Sequence, residues 1–145
     1  MFQKANMEYR NLGNTGLLVS VLSYGNANSR NLIPFEKQVE IAKTCLQNGI
    51  NLFDTAEVYT LGQDEEDLGR VLKEINEPRE RLVITTKVWT APDFDINSTS
   101  GTNKKHIKES VKGSLKRLQL DYVDVVFAHS YDENTPIEEI VRGFH

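Results

Sequence analysis

Asp54, Tyr59, Lys87 and His129 are the residues of this chain whose types and placement could do proton chemistry. Asp54 closes the run Gly49-Ile50-Asn51-Leu52-Phe53-Asp54, and Tyr59 follows it within the next few residues. Lys87 closes Leu82-Val83-Ile84-Thr85-Thr86-Lys87, and His129 closes Tyr122-Val123-Asp124-Val125-Val126-Phe127-Ala128-His129. A free tyrosine has a pKa of about 10 and donates its proton reluctantly at neutral pH. A lysine ammonium beside a phenol favours the phenolate, so Lys87 would tune Tyr59 as a proton donor to a developing alkoxide. Asp54 can pair with Lys87 and keep it charged and oriented. His129 suits a hydrogen bond to a carbonyl oxygen, or a share in proton delivery. Together these groups make an acid and an oxyanion-stabilising pocket, but they hold no electron pair for a reduction. A hydride donor, normally a nicotinamide cofactor, has to be bound as well.

Taken singly, each residue has a plainer reading: Asp54 as a strand-end cap, Tyr59 as a packing aromatic, Lys87 as a surface lysine, His129 as a structural hydrogen bonder. What favours chemistry is their shared position at strand ends. Each apolar run is followed by a helix-like segment, so the strands should run parallel and bring their C-terminal ends to one rim. Sites of α/β proteins usually lie there.

The supporting elements can be read along the chain. Residues 7–12 and 19–23 flank Gly13-Asn14-Thr15-Gly16, a tight-turn sequence that predicts a short hairpin. Residues 21–25 read as the first core strand, and a helix over 35–48 carries Phe35, Val39, Ala42 and Leu46 at the helical period before Gly49 stops it. Asp64 is a candidate cap for the next helix, whose buried face is Leu68, Val71, Leu72 and Ile75; Pro78 marks its end. Strands are predicted over 81–87 and 122–129, separated by a polar loop at 89–102 and a helix capped by Asn103. That loop is long enough to predict a role over the rim. Thr135-Pro136-Ile137-Glu138 has a capping hydroxyl, a proline for the first helical position and a glutamate three after the cap. The helix it starts has run barely two turns at Gly143-Phe144-His145, so the chain reads as cut rather than finished. Four strand–helix units with apolar sheet faces fit half of an eight-stranded barrel or a small open parallel sheet with helices on both faces. A closed barrel needs roughly 250 residues, and half of one would leave unpaired edges for missing sequence or a partner to cover.

With 145 residues, 39% hydrophobic and 26% charged, the composition is that of an ordinary globular domain. A formal net charge of -4 offers no general field for nucleic acid. Lys104, Lys105 and Lys108 read as a solvated helix face. The single Cys45 sits between Ala42 and Leu46 on an apolar stripe, predicts a buried spectator, and excludes an internal disulfide. No run is long enough for membrane insertion, and the start is polar rather than a signal core. A cytoplasmic setting is expected. No Gly-x-Gly-x-x-Gly fingerprint follows a strand, and Gly13-x-x-Gly16 belongs to the hairpin. A metal site built from His106, His129, His145 and Asp132 is disfavoured, because His106 begins a helix and His145 is the last residue; no metal is expected.

Several stretches carry a resemblance: Tyr9-Arg10-Asn11-Leu12-Gly13 with Thr15-Gly16-Leu17; Asn51-Leu52-Phe53-Asp54-Thr55-Ala56-Glu57-Val58-Tyr59; Leu68-Gly69; Val83-Ile84-Thr85-Thr86-Lys87; Ser114-Leu115-Lys116-Arg117-Leu118-Gln119-Leu120-Asp121-Tyr122-Val123-Asp124; and Asn134-Thr135-Pro136-Ile137-Glu138-Glu139. In this order they resemble the aldo-keto reductases over nearly the whole chain. The branch most similar contains the voltage-gated potassium-channel β subunits and their bacterial, plant and protist relatives. The resemblance implies an α/β fold, the N-terminal half of a (β/α)8 TIM barrel preceded by a short β-hairpin. Residues 1–145 would be the N-terminal part of the oxidoreductase domain, apparently truncated. It further implies NADPH/NADP+ as cofactor and reduction of aldehydes and ketones. The family's catalytic tetrad falls on Asp54, Tyr59, Lys87 and His129, and its nicotinamide-binding positions on Gly25, Asn26, Asp54 and Tyr59.

Two departures stand out. Channel-associated members usually carry Asn at the position of His129, so the histidine favours enzymatic relatives. The loop Asn26-Ala27-Asn28-Ser29-Arg30-Asn31 lacks the tryptophan and glycine-rich run of that branch, which leaves a wider or differently lined substrate pocket at Ala27. In the family the later strands supply the nicotinamide stacking surface, the grip on the cofactor phosphates and barrel closure. If residue 145 is the biological end, one chain cannot hold the full cofactor site. Three functions are therefore expected in turn: an NADPH-dependent reductase of a small carbonyl substrate; a regulatory or binding subunit of the channel-associated type; and a catalytically inactive half-barrel. Their respective partners would be the carbonyl compound, an ion channel, and a second copy of the chain in a homo-oligomer.

Overall fold

A computed structural model describes residues 7–90 and 100–145. It opens on the predicted hairpin, in which β1 (Tyr9–Asn11) and β2 (Leu18–Ser20) pair antiparallel with Tyr9 opposite Ser20. Gly13 takes the left-handed backbone, φ 57°, that the turn demands. The hairpin is tied down at its strands: Tyr9 Oη donates to Gly49 O at 2.6 Å, and Ser20 N–H donates to Asn51 Oδ1 at 2.8 Å. It thus covers the end of the sheet at which the strand after Asn51 begins.

Four parallel strands follow in the spatial order of the sequence: β3 (Ser23–Gly25), β4 (Leu52–Asp54), β5 (Val83–Val88) and β6 (Val125–Ala128). Gly25 lies opposite Asp54, Asp54 opposite Thr85, and Lys87 opposite Phe127. Between and after them come α1 (Ser29–Leu32), α2 (Phe35–Gln47), α3 (Gln63–Ile75), α4 (Lys104–Leu118) and α5 (Ile137–Phe144). Helix α2 packs on α3, α3 on α4, and α4 on α5. Helices on opposite faces of a sheet cannot touch, so this succession forms one layer on one face. The open sheet with helices on both faces is excluded for the described residues.

The core lies between that layer and the sheet. Phe53, Ile84, Leu68, Val71, Ala42 and Leu118 are fully buried in it, which accounts for the helical spacing of apolar residues in α2, α3 and α4. Cys45 is half-buried and packs against the same cluster. At Gly69 the helices meet so closely that a Cβ would lie 2.5 Å from Leu118 O.

Several elements differ from the sequence reading, each for a local reason. Both sheet faces are buried in β5, though Thr85, Thr86 and Lys87 make them partly polar, but not in β6, the edge strand of the sheet among the described residues, where Phe127 is 42% exposed. The first core strand starts at Ser23 because Val21 N–H is spent on Glu8 O beside the hairpin. The fourth strand starts at Val125: Tyr122 stays outside under the Arg79 guanidinium, and the Asp124 side chain takes Ile84 N–H at 2.7 Å. Asn103 caps α4 as predicted, accepting from His106 N–H at 2.9 Å. Asp64 does not cap α3; it lies inside the first turn and binds other groups. Thr135 makes no cap for α5, because its hydroxyl donates to Asp132 at 2.7 Å instead. The predicted role for the polar loop falls largely on residues 91–99, outside the described residues.

Candidate active site

The rim is built by strands that end in step. In the β4–β5 ladder Thr55 N–H donates to Thr85 O at 3.1 Å, and Glu57 N–H donates to Lys87 O at 3.3 Å. This continues the pairing past Asp54 and brings the segment carrying Tyr59 alongside Lys87. Lys87 Nζ donates to Asp54 Oδ2 at 2.6 Å, to Thr55 O at 2.7 Å and to Tyr59 Oη at 3.1 Å. An ammonium has three N–H bonds, so its donors are filled and its position is fixed. Because Tyr59 Oη accepts from Lys87, its own O–H remains a donor toward any group placed at the rim. The second Asp54 oxygen accepts from Thr85 Oγ1 at 2.6 Å.

His129 follows β6 directly, its N–H bonded to Val88 O at 3.0 Å. Its ring meets the Tyr59 ring edge-on, with centroids 5.7 Å apart. Burial pushes the imidazole below its ordinary pKa, the Lys87 ammonium adds to the fall, and Asp54 and Glu57 oppose it. At neutral pH His129 is therefore an uncharged ring with a donor and an acceptor nitrogen. Tyr24, by contrast, is a core phenol against Phe53 that burial, aided by Cys45, Asp64 and Asp67, pushes up to about 12.

Tyr59 begins a short helical turn, Tyr59–Gly62, whose next three residues are left-handed: φ is 46° at Thr60, 53° at Leu61 and 80° at Gly62. Non-glycine residues pay for this backbone with roughly 1–2 kcal/mol each. Asp64 holds the turn by accepting from Thr60 Oγ1 at 2.8 Å. The same buried carboxylate accepts from Asn28 N–H, Ser29 Oγ and Arg30 N–H, linking the turn to the loop after β3.

Gly25 and Asn26 lie at the end of β3, beside Asp54. A Cβ at Gly25 would meet nothing within 4 Å, and Asn26 Oδ1 is buried without a hydrogen-bond partner. His129 Nδ1 and Thr55 Oγ1 share that condition. Room at the Gly25 backbone, with the unpartnered Asn26 Oδ1 next in sequence and Thr55 Oγ1 just past Asp54, suits a polar ligand at the ends of β3 and β4. The residues present therefore fit the nicotinamide end of a cofactor, which Gly25, Asn26, Asp54 and Tyr59 would hold.

The structure thus brings Asp54, Tyr59, Lys87 and His129 together, with Gly25 and Asn26 next to them. Sequence reasoning left out three contributors. Thr85 points the same way as Lys87, two residues on in the same strand, and alternation alone would have flagged it. Asp64 has the sequence signature of a cap, because a carboxylate near a helix start usually is one. Glu57 stood in the segment before Tyr59 with no role; it is wholly buried, and its partners lie far along the chain. Of the proposed metal ligands, Asp132 accepts from Thr102 N–H, Asn134 N–H and Thr135 Oγ1, and His106 faces Glu57. No group of three His, Cys, Asp or Glu side chains gathers for a metal among the described residues, and no described helix is long and apolar enough to cross a membrane.

A family model described as "Aldo/keto reductase family" matches residues 21–145. A probable voltage-gated potassium channel subunit beta of Arabidopsis thaliana is 43% identical over 141 residues, covering 96% of this chain and 42% of the relative. A putative channel subunit of the same type from Schizosaccharomyces pombe is 43% identical over 147 residues, covering 99% and 42%. An aldo-keto reductase of Bacillus halodurans, solved in its holo form, superposes with a TM-score of 0.80 at 35% identity over 95% of this chain and 45% of that one. The chain therefore spans less than half the length of these relatives. The superposition also assigns the hairpin and the four parallel strand–helix units to part of a (β/α) barrel.

Proposed function

The chain belongs to the aldo/keto reductase family, and from that premise we propose that residues 1–145 form the N-terminal part of a nicotinamide-dependent oxidoreductase domain and carry its acid–base half. The observation that carries this is the Lys87 ammonium bonded at once to Asp54, Thr55 O and Tyr59 Oη. The reaction is reduction of an aldehyde or ketone to the alcohol. NADPH, when bound, supplies the hydride. Tyr59 gives its hydroxyl proton to the carbonyl oxygen as negative charge develops there, and Lys87 stabilises the phenolate left behind. Asp54 keeps the Lys87 side chain aimed at Tyr59. Neutral His129 donates a hydrogen bond to the same oxygen and orients it. The left-handed turn after Tyr59, anchored by Asp64, fixes the phenol so that little reorganisation accompanies the transfer.

A second reading is favoured by a different observation: both curated relatives at 43% identity are called potassium channel β subunits. In that reading the domain is a binding or regulatory subunit that engages a channel, and its rim holds the nicotinamide with slow turnover or none. The comparisons lean toward this role and the rim geometry toward chemistry.

Purified protein supplied with NADPH and a panel of small aldehydes separates them. Turnover that Tyr59→Phe reduces by about 100-fold or more, with cofactor binding retained, supports the reductase. Cofactor binding without turnover, together with capture of a channel's cytoplasmic domain, supports the subunit. Equal turnover in Tyr59→Phe would remove Tyr59 from the role of acid.

A further inference from the structure

Glu57 is the buried ionisable group nearest the rim that the chemistry above leaves unused. It has no exposed surface. Oε1 accepts from Trp89 N–H at 2.5 Å and contacts His106 Nε2 at 3.1 Å, while Oε2 accepts from Ser110 Oγ. Its own N–H goes to Lys87 O at 3.3 Å. Glu57 therefore grips the C-terminal end of β5 at the Lys87 carbonyl and, just beyond the strand, at the Trp89 amide. It does so from the segment that reaches Tyr59 two residues later. His106 and Ser110, one turn apart on the same face of α4, hold the carboxylate from behind. Burial works against the charge, but the bonds from His106, Ser110 and the Trp89 amide outweigh it and hold the carboxyl below its ordinary range. A buried carboxylate is costly unless its oxygens are satisfied. If α4 needed only to be packed against the sheet, an apolar side chain would serve.

We infer that Glu57 is a positioning residue, a buried carboxylate that ties the Tyr59 turn to the end of β5 and so sets the contact between Tyr59 and Lys87. Its role in turnover rests on the reductase reading; its role in geometry does not. Through the Trp89 amide it fixes where the strand carrying Lys87 ends, and through its own backbone it fixes where the Tyr59 segment begins. A shift of about 1 Å between such groups is enough to lower a rate by about 100-fold.

The test compares Glu57→Gln with Ser110→Ala in the whole chain. Ser110→Ala removes one bond from α4 and leaves the Trp89 bond in place. Three quantities are read: hydrogen exchange at the Trp89 amide, the nuclear Overhauser contact between the Tyr59 and His129 rings, and kcat beside the cofactor Kd. Glu57→Gln should speed Trp89 exchange by about tenfold or more, weaken the ring contact and lower kcat with Kd unchanged. Ser110→Ala, which keeps the Trp89 bond, should change each of the three by clearly less than Glu57→Gln does. The inference is overturned if Glu57→Gln folds with the ring contact and Trp89 exchange unaltered, or if Ser110→Ala causes the same losses. If Glu57→Gln does not fold, Glu57→Asp, which keeps the charge and shortens the reach, is put through the same measurements. Absence of turnover in the unaltered protein would count against the reductase reading alone, because the exchange and ring measurements still decide the role of Glu57.

Discussion

Lys87 is the residue on which the rim turns. Its three donors are spent on three different partners, so it cannot leave Tyr59 without also leaving Asp54 and the Thr55 carbonyl. Tyr59→Phe keeps the ring against His129 and removes only the hydroxyl; thermal stability should change little while any carbonyl reduction falls by about 100-fold or more. A second expectation concerns His129, whose folded imidazole has a depressed pKa, chiefly through burial. The unfolded chain takes up a proton near the ordinary histidine value of about 6.5, where the folded ring still resists it. Stability conferred by His129 is therefore complete above that value and is lost as pH falls toward the folded pKa. Thermal melts of the unaltered protein and His129→Asn should converge or cross as pH drops below about 6.5, and a gap that stays constant would refute the assignment. At this scale the gathering of the polar strand-end residues was legible, because a polar residue closing an apolar run stands out. Glu57 and Asp64 were not, because their partners, Ser110 and the Asn28–Arg30 backbone, are distant in sequence and nothing local announces them.

Among the elements, α3 and α4 meet closely at Gly69. Gly69 lets the two helices approach until only a hydrogen fits against Leu118 O. Glu65 on α3, fully buried, accepts from Thr86 Oγ1 on β5 and from Arg117 on α4, so helix, helix and strand are fastened beside the Lys87 strand. Gly69→Ala inserts a methyl group against backbone that cannot swing aside. It should cost about 1–3 kcal/mol, read as a lower Tm, and a Tm equal to that of the unaltered protein would show that the helices can part. Helical period and the Gly49 and Pro78 stops made the long helices readable from the sequence. Short α1 and the left-handed turn at Thr60 and Leu61 escaped, since neither residue type favours that backbone and only the surrounding bonds to Asp64 impose it. The predicted cap at Thr135 failed for a related reason: Asp132 outcompetes the helix terminus for the hydroxyl.

Across the whole molecule, buried carboxylates join segments that would otherwise be independent. Asp132 ties the loop after His129 to the start of the α4 region, and bonds from Thr135 and the Thr102 amide hold it below its usual range, as others do for Glu57. Both contribute stability above the unfolded carboxyl values of about 4 and lose it as pH falls through the lower folded ones. Asp132→Asn should be less stable than the unaltered protein at neutral pH, and that difference should shrink on acidification, as measured by Tm against pH. A difference independent of pH would mean the carboxylate charge is irrelevant. The parallel strand–helix succession was legible because each unit repeats the same pattern, and the hairpin because Gly13-Asn14-Thr15-Gly16 marks its turn. The single helix layer was not, since periodicity shows that a face is buried but not which side of a sheet covers it.

The N-terminal hairpin meets the sheet at Gly49 and Asn51, before β4 begins, while Asp54 closes the same strand at its far end. Anything coupled to the turn at Asn14, whether a fluorophore, an affinity handle or a surface tether, is thus held away from Asp54, Tyr59 and Lys87. Immobilised by that end, the protein would present its open rim to solution.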